Sequence, residues 1–396
     1  MDNKVRIQDD LFHYVNQEKI DQLVIPDDLP VAGGFAELRV NVEKVLMDDF
    51  KDLEKSRKFP NANVEKAINL YSIAKNVKKR NKQGIKPIAK DLKAIQSVSD
   101  VNLFNRKLKN FILNSYPLPF NTFVETDFKD SSKRSLMVMG PSTILPDTTM
   151  YNPANPNKEA LLNMWKMFAA QALNFTDLSE EDKALYINDA MEFDAIIATL
   201  VKSSQEWSEY TKMYNPYKVN KVNRLLAPVK FKRCLKQLFG YVPEIIIVAD
   251  PRFVNNFKTL FNEENFPKYI HWAYINYLLN NGKYLSEDLR NISGAFGRAL
   301  SGIAKPAEPV KYAYQLASGW FDQPVGLYYG QKYFGEEAKK DVIEMVEEII
   351  EAYKERVTNS EARLPITEAA TILIRSGIIN GITHHPSTVP KPTGPV

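Results

Sequence analysis

Glu336-Glu337-Ala338-Lys339-Lys340-Asp341-Val342-Ile343-Glu344-Met345-Val346-Glu347-Glu348-Ile349-Ile350-Glu351-Ala352-Tyr353-Lys354-Glu355-Arg356-Val357 is the stretch whose reading decides the fold class. Val342, Val346, Ile349, Tyr353 and Val357 recur at steps of three and four, while Glu344, Glu347, Glu348, Glu351 and Lys354 supply a wet face. That spacing matches the 3.6-residue period of an α-helix and not the period of two of a strand. Gly335 precedes the run, and Glu336 and Glu337 sit where the positive end of the helix dipole stabilises a carboxylate.

Outward from this segment the same period returns. Ser179 can cap a helix, with Asp182 bonding back, and Ile187, Met191, Ala195 and Ala198 form its apolar stripe. Asn63 to Lys82 reads as a further helix, with Ala67, Tyr71, Ala74 and Lys78 on one side and a stop at Gly84 before Pro87. Strand signals are few: Glu244 to Val248 is rich in β-branched residues, and Ser135 to Gly140 reads as a short strand entering a loop. No fixed-period repeat stands out, which disfavours a solenoid. The expected class is mainly α, a large multi-helix domain with few short strands.

Composition narrows the function. Hydrophobic residues make up 44% and charged residues 25%, the balance of a folded protein. Fifty-two basic against 48 acidic residues leave a net charge of +4, which gives no ground for a nucleic-acid partner. The basic run Lys75, Lys78, Lys79, Arg80, Lys82, Lys86, Lys90 and Lys93 has no aromatic interleaving and reads as a solvated helix end. The longest apolar run, Ile245 to Ala249, is strand-sized, so no membrane partner is expected. The opening Met1-Asp2-Asn3-Lys4-Val5-Arg6 leads into polar sequence, and with a single cysteine, Cys234, the expectation is a cytoplasmic protein without disulfides. Cys234 reads as a buried, inert thiol despite Lys232 and Arg233 beside it.

The usual catalytic templates fail. A zinc-peptidase helix needs His-Glu-x-x-His, and none of His13, His271, His384 and His385 is followed by glutamate. His384 and His385 are adjacent in a Pro-rich end, and His13 and His271 lie beside Tyr14 and Trp272 as core or rim residues. There is no phosphate loop and no Gly-x-Ser-x-Gly elbow, and Ser293-Gly294-Ala295-Phe296-Gly297 lacks the spacing of a dinucleotide fingerprint.

One sharp signal remains. Asp9-Asp10-Leu11-Phe12-His13-Tyr14-Val15-Asn16 is followed by Ile25-Pro26-Asp27-Asp28 and by Gly33-Gly34-Phe35-Ala36-Glu37-Leu38. In the same order come Gly84 with Pro87, Ile144-Leu145-Pro146-Asp147 with Tyr151, Tyr214-Asn215-Pro216, Gly319-Trp320-Phe321-Asp322-Gln323, Val325-Gly326-Leu327-Tyr328-Tyr329-Gly330 and Tyr333-Phe334-Gly335. This collinear set over residues 9–357 resembles the neprilysin family of zinc endopeptidases, in particular the oligopeptidase O branch of lactic acid bacteria.

The resemblance implies a helical roof over a catalytic domain, enclosing a cavity that admits oligopeptides. It implies residues 1–50 as a signature segment packing on the catalytic domain, 51–357 as the roof, and 358–396 as a divergent Pro-rich tail. In intact members zinc is held by His-Glu-x-x-His and a downstream glutamate; neither is matched here, so no catalytic or metal residue and no cofactor is assigned to this chain. Some members carry a substrate-contacting arginine before Gly-x-Phe, where this chain has Val31, so no substrate-binding residue is transferred. The expectation is a truncated, inactive oligopeptidase-like chain, prone to self-association. The alternative is a helical module that binds oligopeptides or complements a separate catalytic half.

Overall fold

The computed structural model describes residues 5–359, apart from the side chains of 357–359. It is mainly helical, with one four-stranded sheet. The described chain divides into two compact units: one holds residues 5–89, Asn174–Thr176 and Leu279–Gly335, and the other holds Lys90–Leu173, Asp177–Leu278 and residues 336–359.

In the first unit the helices Phe35–Ser56, Ala62–Ala74 and Pro309–Trp320 bury Leu46, Phe50, Ile68, Tyr71, Ala313 and Tyr314 against one another. Phe50 is the hub, with the Tyr71 ring edge-on at 5.6 Å and Tyr314 at 5.1 Å. The helix expected from Asn63 to Lys82 is in fact two, Ala62–Ala74 and Val77–Gln83. Asn76 separates them because its side chain accepts the Lys79 N–H at 3.0 Å, offering the backbone a new N-cap in mid-run. The expected stop at Gly84 is present, and Pro87 falls in the first turn of the next helix, Lys86–Gln96, where a missing N–H costs nothing.

In the second unit the sheet runs in the order β1 (Asn121–Thr126), β2 (Arg134–Met139), β4 (Ile245–Val248), β3 (Pro216–Lys218). β1 pairs antiparallel with β2, with Asn121 opposite Met139 and Thr126 opposite Arg134. β2 and β4 run parallel, and β3 closes the far edge antiparallel to β4. The two central strands are those read from the sequence. The edge strands were not, since β1 is largely exposed and β3 is three residues long, so neither carries a burial pattern.

Ser179 caps the helix Glu180–Leu200 as expected, accepting the Asp182 N–H at 3.1 Å, but the Asp182 carboxylate takes the Ser179 hydroxyl at 2.8 Å. Its buried face is Tyr186, Ile187, Ala190, Phe193, Asp194 and Ile197; the expected stripe is corrected at Ala195, which is exposed. The bulky Phe193 and Tyr186 set the face, with Phe193 packing near Tyr269 and Trp272. The deciding segment is the helix Gly335–Asn359. Its Val346 is half-buried beside Ile343 and Ile350, whereas Val342, Met345, Ile349 and Tyr353 remain exposed. No described helix is long and apolar enough to cross a membrane.

Candidate functional site

The two described histidines, His13 and His271, each pair with a single aspartate. His13 Nδ1 lies 2.8 Å from Asp10, within one helical turn. His271 Nδ1 lies 2.6 Å from Asp189 and its ring stacks on Tyr186 at 3.8 Å. Burial holds its pKa below the usual histidine value, against the pull of Asp189. His384 and His385, with the Pro-rich tail, lie outside the described residues. Among the described residues no three His, Cys, Asp or Glu side chains gather as a metal group would need. The described residues therefore do not fit zinc, and no catalytic step is routed through it. Cys234 is buried and its thiol is pushed up to about 11 by burial, far from a reactive thiolate.

Several signature residues prove to be fasteners. Asp194, 1% exposed, accepts the Ile144 N–H at 2.8 Å and the hydroxyl of Tyr151, which itself accepts the Leu145 N–H at 2.9 Å. This fixes the loop Ile144-Leu145-Pro146-Asp147 that leaves β2. Burial pushes Asp194 up to about 7 and Tyr151 well above its usual value. Asp147 accepts the Ser204 N–H at 2.6 Å, tying the same loop to the next segment. Tyr214 donates to Asp127 at 3.1 Å, and Asn215 donates from its side chain to the Val248 carbonyl at 2.9 Å, anchoring the Tyr-Asn-Pro turn beside β4.

In the first unit the signature around Gly33-Gly34-Phe35 builds a cavity instead. Both glycines have positive φ, 85° and 53°, a region that side chains rarely adopt. The turn launches the helix Phe35–Ser56 with Phe35 90% exposed. Phe35, Leu38, Arg39 and Val42, at helical steps of three and four, line a cavity of ≈ 570 Å³ with Tyr314 and Gln315. Arg39 is exposed and has no hydrogen-bond or ion-pair partner among the described residues. The carboxylate one helical turn on, Glu43, is occupied: Gln315 donates to it at 2.8 Å and Lys311 stands 3.6 Å away. A free guanidinium beside an apolar helical face suits a ligand with one carboxylate and apolar side chains. The sequence reading gave Arg39 no role; the available signal was its place four residues after Phe35 on the same helix face.

The model of peptidase family M13 matches residues 7–362 of this chain. The neutral endopeptidase of Lactobacillus helveticus is 35% identical over 361 residues, covering 91% of this chain and 56% of that protein. That of Lactococcus lactis subsp. lactis is 34% identical over 357 residues, covering 90% and 57%. The chain thus spans a little over half the length of these curated relatives. The crystal structure of PepO from Lactobacillus rhamnosis superposes with a TM-score of 0.83 at 27% identity, covering 92% of this chain and 58% of that one. The chain therefore belongs to peptidase family M13, of the neprilysin type, and forms the mainly helical N-terminal part of that architecture.

Proposed function

We propose that this chain is the substrate-enclosing part of a zinc-dependent endopeptidase acting on oligopeptides in a cytoplasmic setting, and that by itself it cleaves nothing. The observation carrying this reading is the family match across residues 7–362 in a sequence that contains no His-Glu-x-x-His. The relatives are neutral endopeptidases by name, which supports endopeptidase as the reaction class of the assembled enzyme. Roofing without catalysis is consistent with a helical body whose signature residues fasten loops and in which a cavity with an unpaired arginine faces solvent at Phe35–Arg39. In this reading Arg39 receives a peptide carboxylate, and Phe35, Leu38 and Val42 contact apolar side chains next to it. The partner expected from this reading is a polypeptide that supplies the zinc ligands and covers the exposed apolar residues Val31, Phe35 and Leu38.

The test is an assay of the purified full chain on an internally quenched oligopeptide, with and without added zinc and chelator. No turnover above buffer is expected under either condition. Chelator-sensitive cleavage that tracks the protein through purification would overturn the proposal. Binding of an uncleaved, labelled oligopeptide, weakened by Arg39→Gln and unaffected by chelator, is the expected positive readout for the cavity.

A further inference from the structure

Between Tyr210 and Pro243 the sequence contains no aspartate or glutamate, yet carries Lys212, Lys218, Lys221, Arg224, Lys230, Lys232, Arg233 and Lys236. Elsewhere exposed lysines find carboxylates one turn away, as Lys51 does with Asp48, Lys133 with Asp130 and Lys354 with Glu351. Here Lys212 alone does so, with Glu209 just outside the stretch. The second unit folds this stretch into the helices Val219–Leu225 and Phe231–Phe239, joined by a loop. A cleft of ≈ 610 Å³ lies against them, lined by Asn223, Pro228, Val229, Lys230, Arg233 and Lys236 among others.

The walls are held in place before anything binds. Asn105 reaches the joining loop from a neighbouring helix, donating to the Pro228 carbonyl at 3.0 Å and accepting the Lys230 N–H at 2.7 Å. Asn223 accepts the Lys232 N–H at 2.8 Å, locking the start of the second helix to the first. Lys232 Nζ is engaged with Asn220 at 2.9 Å, so its charge stays at the rim. The side chains of Lys230, Arg233 and Lys236 have no hydrogen-bond or ion-pair partner among the described residues, and all three residues are exposed. Fixed walls, an apolar floor and uncompensated cations make a site for an anion with an apolar body.

We infer that this cleft binds an extended, acidic segment of polypeptide. Arg233 and Lys236 are three residues apart on one face of the helix, about 5–6 Å between their Cβ atoms. Alternate residues of an extended peptide repeat on one face every ~6.7 Å, so carboxylates at every second position meet successive cations of the cleft. The intervening residues then face the floor of Ala227, Pro228, Val229 and Val242. The lining contains no aromatic ring on which a nucleobase would stack, which favours peptide over single-stranded nucleic acid. The readout is binding to this cleft, so the proposal stands or falls independently of the peptidase reading.

Fluorescence anisotropy of a labelled peptide of alternating glutamate and valine, titrated with the full chain, tests it. Saturable binding is expected, weakening as salt is raised across the range that screens exposed charges. Arg233→Glu and Lys236→Glu are each expected to weaken it roughly tenfold, whereas Lys166→Glu, an exposed site of equal charge change outside the cleft, leaves it within about twofold. The milder Arg233→Gln gives an intermediate loss and guards against a folding artefact, with circular dichroism identical to the parent. Equal affinity for the glutamine–valine peptide, equal loss in Lys166→Glu, or tighter binding of a single-stranded oligonucleotide of matched charge would each overturn the inference.

Discussion

Asp194 shows how much one side chain can set. It lies 1% exposed and is held up to about 7 by burial, with the Tyr151 hydroxyl and the Ile144 N–H pulling the other way. The folded chain therefore binds this proton more tightly than the unfolded one, whose carboxyl titrates near ~3.9. The stability contributed is full below about pH 4 and is lost as pH rises through about 7. Asp194→Asn removes that titration, so the gap in urea midpoint between wild type and variant should narrow or invert from pH 5 to pH 8; a gap that stays constant would exclude the assignment. Arg80 makes a second residue-scale case. It is buried, donates to the carbonyls of Ala74 and Leu285 at 2.7 Å each, and meets Glu287 at 2.7 Å. Arg80→Ala leaves two buried carbonyls without this donor, while Glu287 keeps Arg290, and should cost about 2–4 kcal/mol. A denaturation midpoint shifted by less than a fifth of that would show the network to be dispensable. Neither role is visible in sequence, where Arg80 is one cation of a run and Asp194 one acid in a helix.

At the level of elements, local chemistry decides boundaries and packing decides faces. The π-turn Gly330–Phe334 is the clearest example. An extra residue in the turn brings Tyr328, Lys332 and Tyr333 onto a single carboxylate, Asp49, at 3.0, 2.6 and 2.9 Å. Asp49 holds the Lys332 ammonium above its usual range. Asp49→Ala should destabilise by about 2–4 kcal/mol, since two partly buried tyrosine hydroxyls lose their acceptor, while Tyr328→Phe costs about 1 kcal/mol. Equal losses from the two, read by thermal unfolding, would mean that packing of the tyrosine rings dominates. At the end of β2, Gly140 is required by space: a Cβ there would stand 2.4 Å from Val201 Cγ1 and 2.9 Å from the Phe253 ring. Gly140→Ala is therefore expected to cost about 1–3 kcal/mol with an unchanged urea m-value. The serine cap at Ser179 and the stop at Gly84 were legible because a cap is made by the residue itself. The stripe of that same helix was misread at Ala195 because small residues fit either face, and the large Tyr186 and Phe193 set the rotation.

For the whole molecule, the apolar residues left uncovered matter most. Val342, Met345, Ile349 and Tyr353 lie three and four apart on the helix Gly335–Asn359, each between 42% and 59% exposed. Such a row associates with other apolar surface. Light scattering should show mass rising with concentration, and the pair Ile349→Glu with Tyr353→Lys should return the chain toward monomer. A monomer across the accessible range would contradict this. The sequence by itself determined the fold class, the strand pair at the centre of the sheet and the family, because helical period, β-branched runs and the order of motifs over residues 9–357 are properties of the chain written in one dimension. Only the tertiary structure decided that Tyr151, Tyr214 and Asn215 fasten loops, that Arg39 is left unpaired over a cavity, and that the cations around Lys230 share a cleft. Partnership and burial depend on which side chains distant in sequence arrive at the same place, and the free energy of a charge is set by those neighbours and by the water they displace.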